Sequence, residues 1–280
     1  MSYADKVFKE TCMDILKNGT DTKGEHIRPH WADGTPAYTI KKCNVVNRYD
    51  LRKEFPAITL RKVGLKSAMD EILWIYQRKS NNIKDLKPHI WDSWADEDGS
   101  IGTAYGYVAG EKFRFKDMEI DQTDYVLWQL KNTPYSRRMM TNLYQYKHLS
   151  TGNLDPCCFC AIYNVTKENG QLVLNMTLVQ RSQDMLAANG WNVCQYAILL
   201  MMFAQVNDMI PGELLHVIND CHIYDRHIPM IKELLDREEH PAPKVWLTPD
   251  VKDFYKFTTD DLHVEGYITG EQIKNIPVAI

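Results

Sequence analysis

The chain lacks any apolar run long enough to cross a bilayer. Its most hydrophobic stretch, Tyr196–Ala204, stops well short of the roughly 20 residues that a membrane helix needs, so no membrane partner is expected. It also lacks a strong charge of either sign. A net charge of −4 over 280 residues leaves no broad basic surface, which argues against nucleic acid as a partner. An anionic small molecule would have to meet local arginines instead. The first residues, Met1–Lys6, include an acid and open no apolar segment, so no signal peptide is expected. The seven cysteines are odd in number, and three crowd together at Cys157, Cys158 and Cys160. That is no disulfide framework; it suits a reducing, cytoplasmic setting. Low-complexity linkers, repeats and abrupt compositional boundaries are missing too. With 44% hydrophobic residues the chain can bury a sizeable core, and one domain over 1–280 is expected.

Periodicity supplies the elements. Val7, Phe8, Cys12, Ile15 and Leu16 predict a helix over 3–16, with Gly19 after it. Met69, Ile72, Leu73 and Tyr76 predict another over 66–78, with Glu71 beside its apolar face. Residues 121–132 form a third, closed by Pro134. Residues 35–46 and 57–63 are rich in β-formers, and 172–179 alternates as a strand. Residues 192–206 are apolar nearly all round and predict a buried central helix, ended by Pro211-Gly212. A short buried strand at 214–218 and an amphipathic helix over 228–239 follow. Helices and strands mix without a regular βαβ rhythm, which predicts an α+β fold with a large mixed sheet flanked by helices.

The sharpest chemical signal is Cys157 in Leu154-Asp155-Pro156-Cys157-Cys158, followed downstream by Gln180-Arg181-Ser182-Gln183-Asp184. An arginine near a thiol favours the thiolate, and the same guanidinium can hold a phosphate. Two rivals compete for these cysteines. Pro156-Cys157-Cys158-Phe159-Cys160 reads as half of a zinc nucleobase deaminase motif. That chemistry needs an upstream H-x-E, yet His26, His30, His89 and His148 have no Glu two residues later. A structural zinc site could draw on Cys157, Cys160, Cys221 and His222, with His227 as a spare, but adjacent Cys221 and His222 make shared tetrahedral ligation awkward. No metal is therefore expected. Cys12, Cys43, Cys160 and Cys194 read as small core residues.

The context of Cys157 goes further. The segment from Leu154 to Tyr224 resembles the thymidylate synthase family. So do Arg137-Arg138, Glu71-Ile72-Leu73-Trp74, Ile90-Trp91-Asp92-Ser93-Trp94 and Pro277-Val278-Ala279-Ile280, in order and at matching separations. The resemblance implies a methyltransferase on a thymidylate-synthase-like fold that forms a sheet-to-sheet homodimer. Its substrates would be dUMP and 5,10-methylenetetrahydrofolate, its products dTMP and dihydrofolate. The match makes Cys157 the nucleophile at uracil C6, and Arg181 its partner and a phosphate ligand. Gln180 and Ser182 stand beside it on the nucleotide. Arg28 matches a further phosphate arginine, while Arg137 and Arg138 match a pair reaching in from the neighbouring subunit.

The same match gives Asn192 the uracil edge, since an amide can accept from N3–H and donate to O4 together. His222 and Tyr224 match the ribose 3′-hydroxyl pair, and Asp184 the nucleotide–pterin junction. Glu71 matches the organiser of proton transfer, and Tyr105 a tyrosine linked to loss of the C5 proton. Trp91, Trp94, Ala188, Trp191 and Ala279 fall on the folate side, the last in a tail that closes over it. The chain departs from the family at Cys158 for His, Ile162 for Gln, Tyr144 for Trp, Leu60-Arg61 for Thr-Lys, and Ala188-Asn189-Gly190-Trp191 for Gly-Leu-Pro-Phe. Two alternatives stay open: a pyrimidine-nucleotide hydroxymethylase of the same family, and a nucleotide- or RNA-binding relative with weakened catalysis.

Overall fold

The computed structural model describes residues 1–149 and 151–280. In chain order its main elements are α1 (Tyr3–Asn18), β1 (Thr20–Asp21), β2 (Thr39–Asp50), α2 (Leu65–Tyr76), α3 (Gly106–Gly110), β3 (Phe113–Phe115), β4 (Met118–Ile120) and α4 (Gln122–Asn132). They continue with β5 (Met140–Asn142), β6 (Cys158–Glu168), β7 (Gln171–Asp184), α5 (Asn189–Val206), β8 (Ile210–Tyr224), α6 (Ile228–Asp236), β9 (Lys244–Leu247) and β10 (Leu262–Glu265). Six strands make one sheet in the order β1-β2-β8-β7-β6-β5, and β3-β4 and β9-β10 are separate hairpins. Only β7 and β8 run parallel within the large sheet, so it is mixed, as the sequence pattern predicts.

Local chemistry explains the joints. Ser2 Oγ caps α1 by accepting from Ala4 N–H at 3.2 Å, and Asp121 caps α4 by accepting from Asp124 N–H at 3.1 Å. Asn169 (φ 48°) and Gly170 (φ 86°) close the two-residue turn between β6 and β7, where Asn-Gly is favoured because both positions need positive φ. The parallel pair β7 and β8 needs a crossover, and α5 supplies it. This helix is apolar all round because α2 covers one side and the sheet the other. Trp74, Tyr76, Tyr163, Tyr196 and Phe203 lie fully buried in the resulting core. Each such side chain contributes about 1.5–3 kcal/mol by leaving water.

Three expectations are corrected. Residues 57–63 form no strand; they are a buried irregular segment whose Thr59 is anchored by the Asp5 carboxylate (Thr59 N–H to Asp5 Oδ1, 2.7 Å). Pro211-Gly212 do not end α5. The helix stops at Val206, the chain turns through Asp208 (φ 52°), and both residues enter β8, which is 15 residues long rather than the short strand expected. Cys43 is exposed, where left-handed Asn44 (φ 57°) interrupts the β2–β8 pairing.

The sheet has two unlike faces. α1, α2 and α5 cover one. The other carries Val46 and Ile162 exposed, in rows with Val217 and Val179, and with Thr177 and Leu215.

Candidate active site

Cys157 sits just ahead of β6, beside a bulge that offsets Cys158 and Cys160 against β7. Bulges re-aim side chains, and here one stands next to the proposed nucleophile. The loop is bound to β7 by a ladder bond, in which Arg181 N–H donates to the Cys157 carbonyl at 2.8 Å. The Arg181 guanidinium then folds back over it. Nη2 donates to the Asp155 carbonyl at 3.1 Å and lies 3.6 Å from Cys157 Sγ, and Nε reaches the Pro156 carbonyl at 3.4 Å. A second anchor comes from Tyr105, whose hydroxyl accepts from Cys157 N–H at 3.1 Å.

Tyr105 holds an unusual backbone, φ 46° and ψ −104°, at the start of α3. Non-glycine residues rarely adopt positive φ, and such strain gathers at functional sites. The neighbouring Gly106 is required there, because a Cβ would stand 2.0 Å from the Ser80 carbonyl oxygen. The sequence suggests a thiolate at Cys157, but the balance is tighter. Burial pushes the thiol up; Arg181, and then Arg28, pull it down, and the net direction is up. Arg28 is exposed, yet its charge is felt at Cys157 and Tyr224.

A buried carboxylate connects to this cluster through Trp91 and Tyr105. Glu71 is 5% exposed. Its Oε1 accepts from Trp91 Nε1–H at 2.9 Å and its Oε2 from Trp191 Nε1–H at 2.6 Å. Trp91 packs edge-on against Tyr105 (4.9 Å between ring centres) and Trp94 (5.7 Å). Burial pushes the Glu71 carboxyl above its ordinary pKa, against the opposing pull of these donors. Asn192 has its amide fixed: Nδ2 donates to Gln195 Oε1 at 3.0 Å, and Oδ1 accepts from Gln180 Nε2 at 3.3 Å. Gln180 Oε1 in turn lies 2.7 Å from buried His216 Nε2.

At the far end of β7, Asp184 pairs in register with His222 on β8. His222 Nδ1 lies 2.8 Å from Asp220 Oδ1, which fixes the ring, and its buried Nε2 has no partner among the described residues. Its ring packs edge-on against Tyr224. Asp184 Oδ1 accepts from Leu186 N–H (2.9 Å) and Ala187 N–H (3.2 Å) and lies 3.3 Å from His227 Nδ1. His227 Nε2 donates to the Pro277 carbonyl at 2.8 Å, and Ile280 exchanges two backbone bonds with His30. The segment carrying Val278 and Ala279 is thus tied down beside Asp184. Ala188 opens α5, its N–H donating to the Asp184 carbonyl at 3.2 Å.

Most of the residues singled out by sequence therefore fall into one connected region. Arg137 and Arg138 do not join it; they are exposed in the loop before β5. Ile162, one of the departures from the family, lies on the open sheet face. The zinc set is not assembled: no group of three or more His, Cys, Asp or Glu is poised for a metal among the described residues. No helix among them is long and apolar enough to cross a membrane. Gln195 was missed as a site residue, and His227 was considered only as a spare zinc ligand; only the fold brings them to Asn192 and Asp184.

A thiol under an arginine, with a buried carboxylate on the same α+β scaffold, is an arrangement suited to covalent catalysis on an anionic substrate. The comparisons narrow the class. The thymidylate synthase family model matches residues 6–280. The thymidylate synthase of Bacillus subtilis subsp. natto is 42% identical over 278 residues, and that of Bacillus phage phi3T 41%, each covering 98% of both chains. The structure of thermostable thymidylate synthase A from Bacillus subtilis superposes with a TM-score of 0.91 at 40% identity, covering 99% of both chains. The chain belongs to the thymidylate synthase family, and it is a methyltransferase.

The Asp184–His227 pair gives a pH signature. The positive charge of the His227 ring, 3.3 Å away, holds Asp184 below the ordinary carboxyl value of 3.8 despite burial, so its stabilisation is lost as pH falls through that lowered value. Asp184 raises His227 above the ordinary 6.5, so that share is lost as pH rises through the raised value. His227→Gln should cost most between these ordinary values, about 1–3 kcal/mol, with the deficit shrinking at alkaline pH. Urea unfolding of both proteins across pH checks this; a deficit independent of pH refutes the pair.

Proposed function

We propose that this chain converts dUMP and 5,10-methylenetetrahydrofolate to dTMP and dihydrofolate, as one catalytic domain over residues 1–280 in the cytoplasm. The observation that carries the residue roles is the Arg181 guanidinium 3.6 Å from Cys157 Sγ. A cation there favours the thiolate as it attacks, and it can face a phosphate with its remaining donors. Cys157 sulfur bonds to C6 of uracil while the ring electrons move toward O4, which makes C5 nucleophilic. Asn192 reads the N3 and O4 edge, with Gln180 and Gln195 fixing its amide. His222 Nε2, buried and unpartnered, suits a sugar hydroxyl, and Tyr224 stands beside it. Arg28 and Ser182 complete the phosphate end within the chain.

The folate supplies the one-carbon unit and the hydride. The residues present fit it: Trp91, Trp94 and Trp191 form an indole wall, Asp184 offers a carboxylate held ionised, and Ala279 lies in the tied tail. Glu71 relays protons behind the pyrimidine, and Tyr105 acts at the C5 proton. An apolar wall and a docked tail exclude water, which favours a methyl product over hydroxymethyl.

The working form is a homodimer through the open sheet face. Val46, Ile162 and their row neighbours leave an apolar face that a second copy would cover, and exposed Arg137 and Arg138 lie in the loop before β5, the edge strand of that sheet. Those arginines then serve the neighbour's phosphate site.

Incubation with both substrates should yield a product heavier than dUMP by one methylene, read by mass spectrometry. A hydroxymethyl product contradicts the methyl assignment, and Cys157→Ser should lower turnover by at least about a thousandfold while dUMP still binds. Mixing inactive Cys157→Ala with inactive Arg138→Ala should restore about a quarter of wild-type activity, because random exchange makes half the dimers mixed with one sound site each. Exchange without recovery refutes arginine sharing.

A further inference from the structure

Glu71 is held in an unusual way, and Trp191 is the unexplained half of it. The carboxylate belongs to α2, Trp91 to the loop after it, and Trp191 to the first turn of α5. Each indole N–H takes one oxygen, at 2.9 Å and 2.6 Å. An indole N–H donates and cannot accept, so both contacts favour the ionised carboxylate. The titratable groups felt around Glu71 give it no such support. Asp70 on the same helix opposes its charge. Cys158 on β6 and Tyr105 ahead of α3 are buried neutral groups, and burial pushes both of them up. Gln195 on α5 also pulls Glu71 down, after the two indoles, but as a neutral polar side chain without charge. No cation acts on Glu71 among the described residues.

We propose that Trp191 is a positioning residue for the proton relay: with Trp91 it clamps both oxygens of Glu71, fixing the carboxyl plane and keeping the group ionisable inside the core. The proposal rests on the reading of Glu71 as that relay. Trp191 then acts through its N–H rather than its bulk, although the ring also packs against Gly64. Removing the N–H leaves one oxygen without its direct donor, and ionisation becomes harder.

The test follows Glu71 directly, by the carboxyl-carbon NMR signal of 13C-glutamate-labelled protein that disappears in Glu71→Gln, together with the pH profile of kcat. Trp191→Phe should move the Glu71 titration up by about one pH unit, a tenfold change in its ionisation constant. The matching limb of kcat should move with it, while KM for dUMP changes less than about twofold. Replacing Trp191 by 3-benzothienylalanine, which keeps the ring shape without the N–H, should give the same shift and guards against misfolding of the phenylalanine variant. An unmoved titration in either variant overturns the proposal. A shifted titration in a protein whose Glu71→Gln variant turns over normally keeps the clamp but removes Glu71 from catalysis.

Discussion

The site depends on one strand-to-loop connection: Arg181 binding the Cys157 loop through both its backbone and its guanidinium. The ladder bond places Cys157 at a fixed height against β7, and the side chain spans Asp155, Pro156 and the sulfur. Tyr105 braces the same residue from the opposite side, at the expense of a strained backbone. The bulge between Cys158 and Cys160 is what sends Cys157 toward the site while Cys158 turns into the core. Shift that register by one residue and the two thiols exchange roles.

Burial opposes ionisation throughout this region, and each functional group answers it with different partners. Cys157 has a guanidinium at its sulfur, yet its thiol stays above the ordinary value. Glu71 has two indole donors and no cation, and it too stays raised. Asp184 has two backbone N–H groups and His227, which is enough to bring it below the ordinary value. Two groups thus remain poised to exchange protons and one remains charged. That division suits the roles proposed for Cys157, Glu71 and Asp184. The tail joins this arrangement through the bond from His227 to Pro277, so water exclusion and the charge on Asp184 share one histidine.

Much of this was legible in the sequence. The alternation in 172–179 and the apolar run of α5 gave the central strand and helix, and the segment around Cys157 gave the chemistry. What was not legible has identifiable causes. The β-formers at 57–63 serve a buried irregular segment because tertiary contacts with Asp5 outweigh local preference. Pro211 and Gly212 look like helix stops, yet both are accommodated in β8; the chain turns earlier at Asp208, which carries no strong signal. Trp191 reads in the sequence only as a departure from Phe on the folate side, whereas its ring nitrogen serves Glu71 from 120 positions away. His227 and Gln195 acquire meaning only when α5 and the end of β8 are brought against β7. Local pattern encodes the elements, and long-range polar partners are encoded in no window of the chain.

The direct measurement is the pH dependence of Cys157 alkylation in the free protein, followed by peptide mapping so that exposed Cys43 and buried Cys158 are counted apart. The account predicts an inflection above the ordinary thiol value of 9.0 in the wild type. In Arg181→Ala it predicts a further rise of about one unit, and so roughly tenfold slower labelling at neutral pH. An inflection in Arg181→Ala at or below that of the wild type would contradict the claim that this arginine governs the nucleophile.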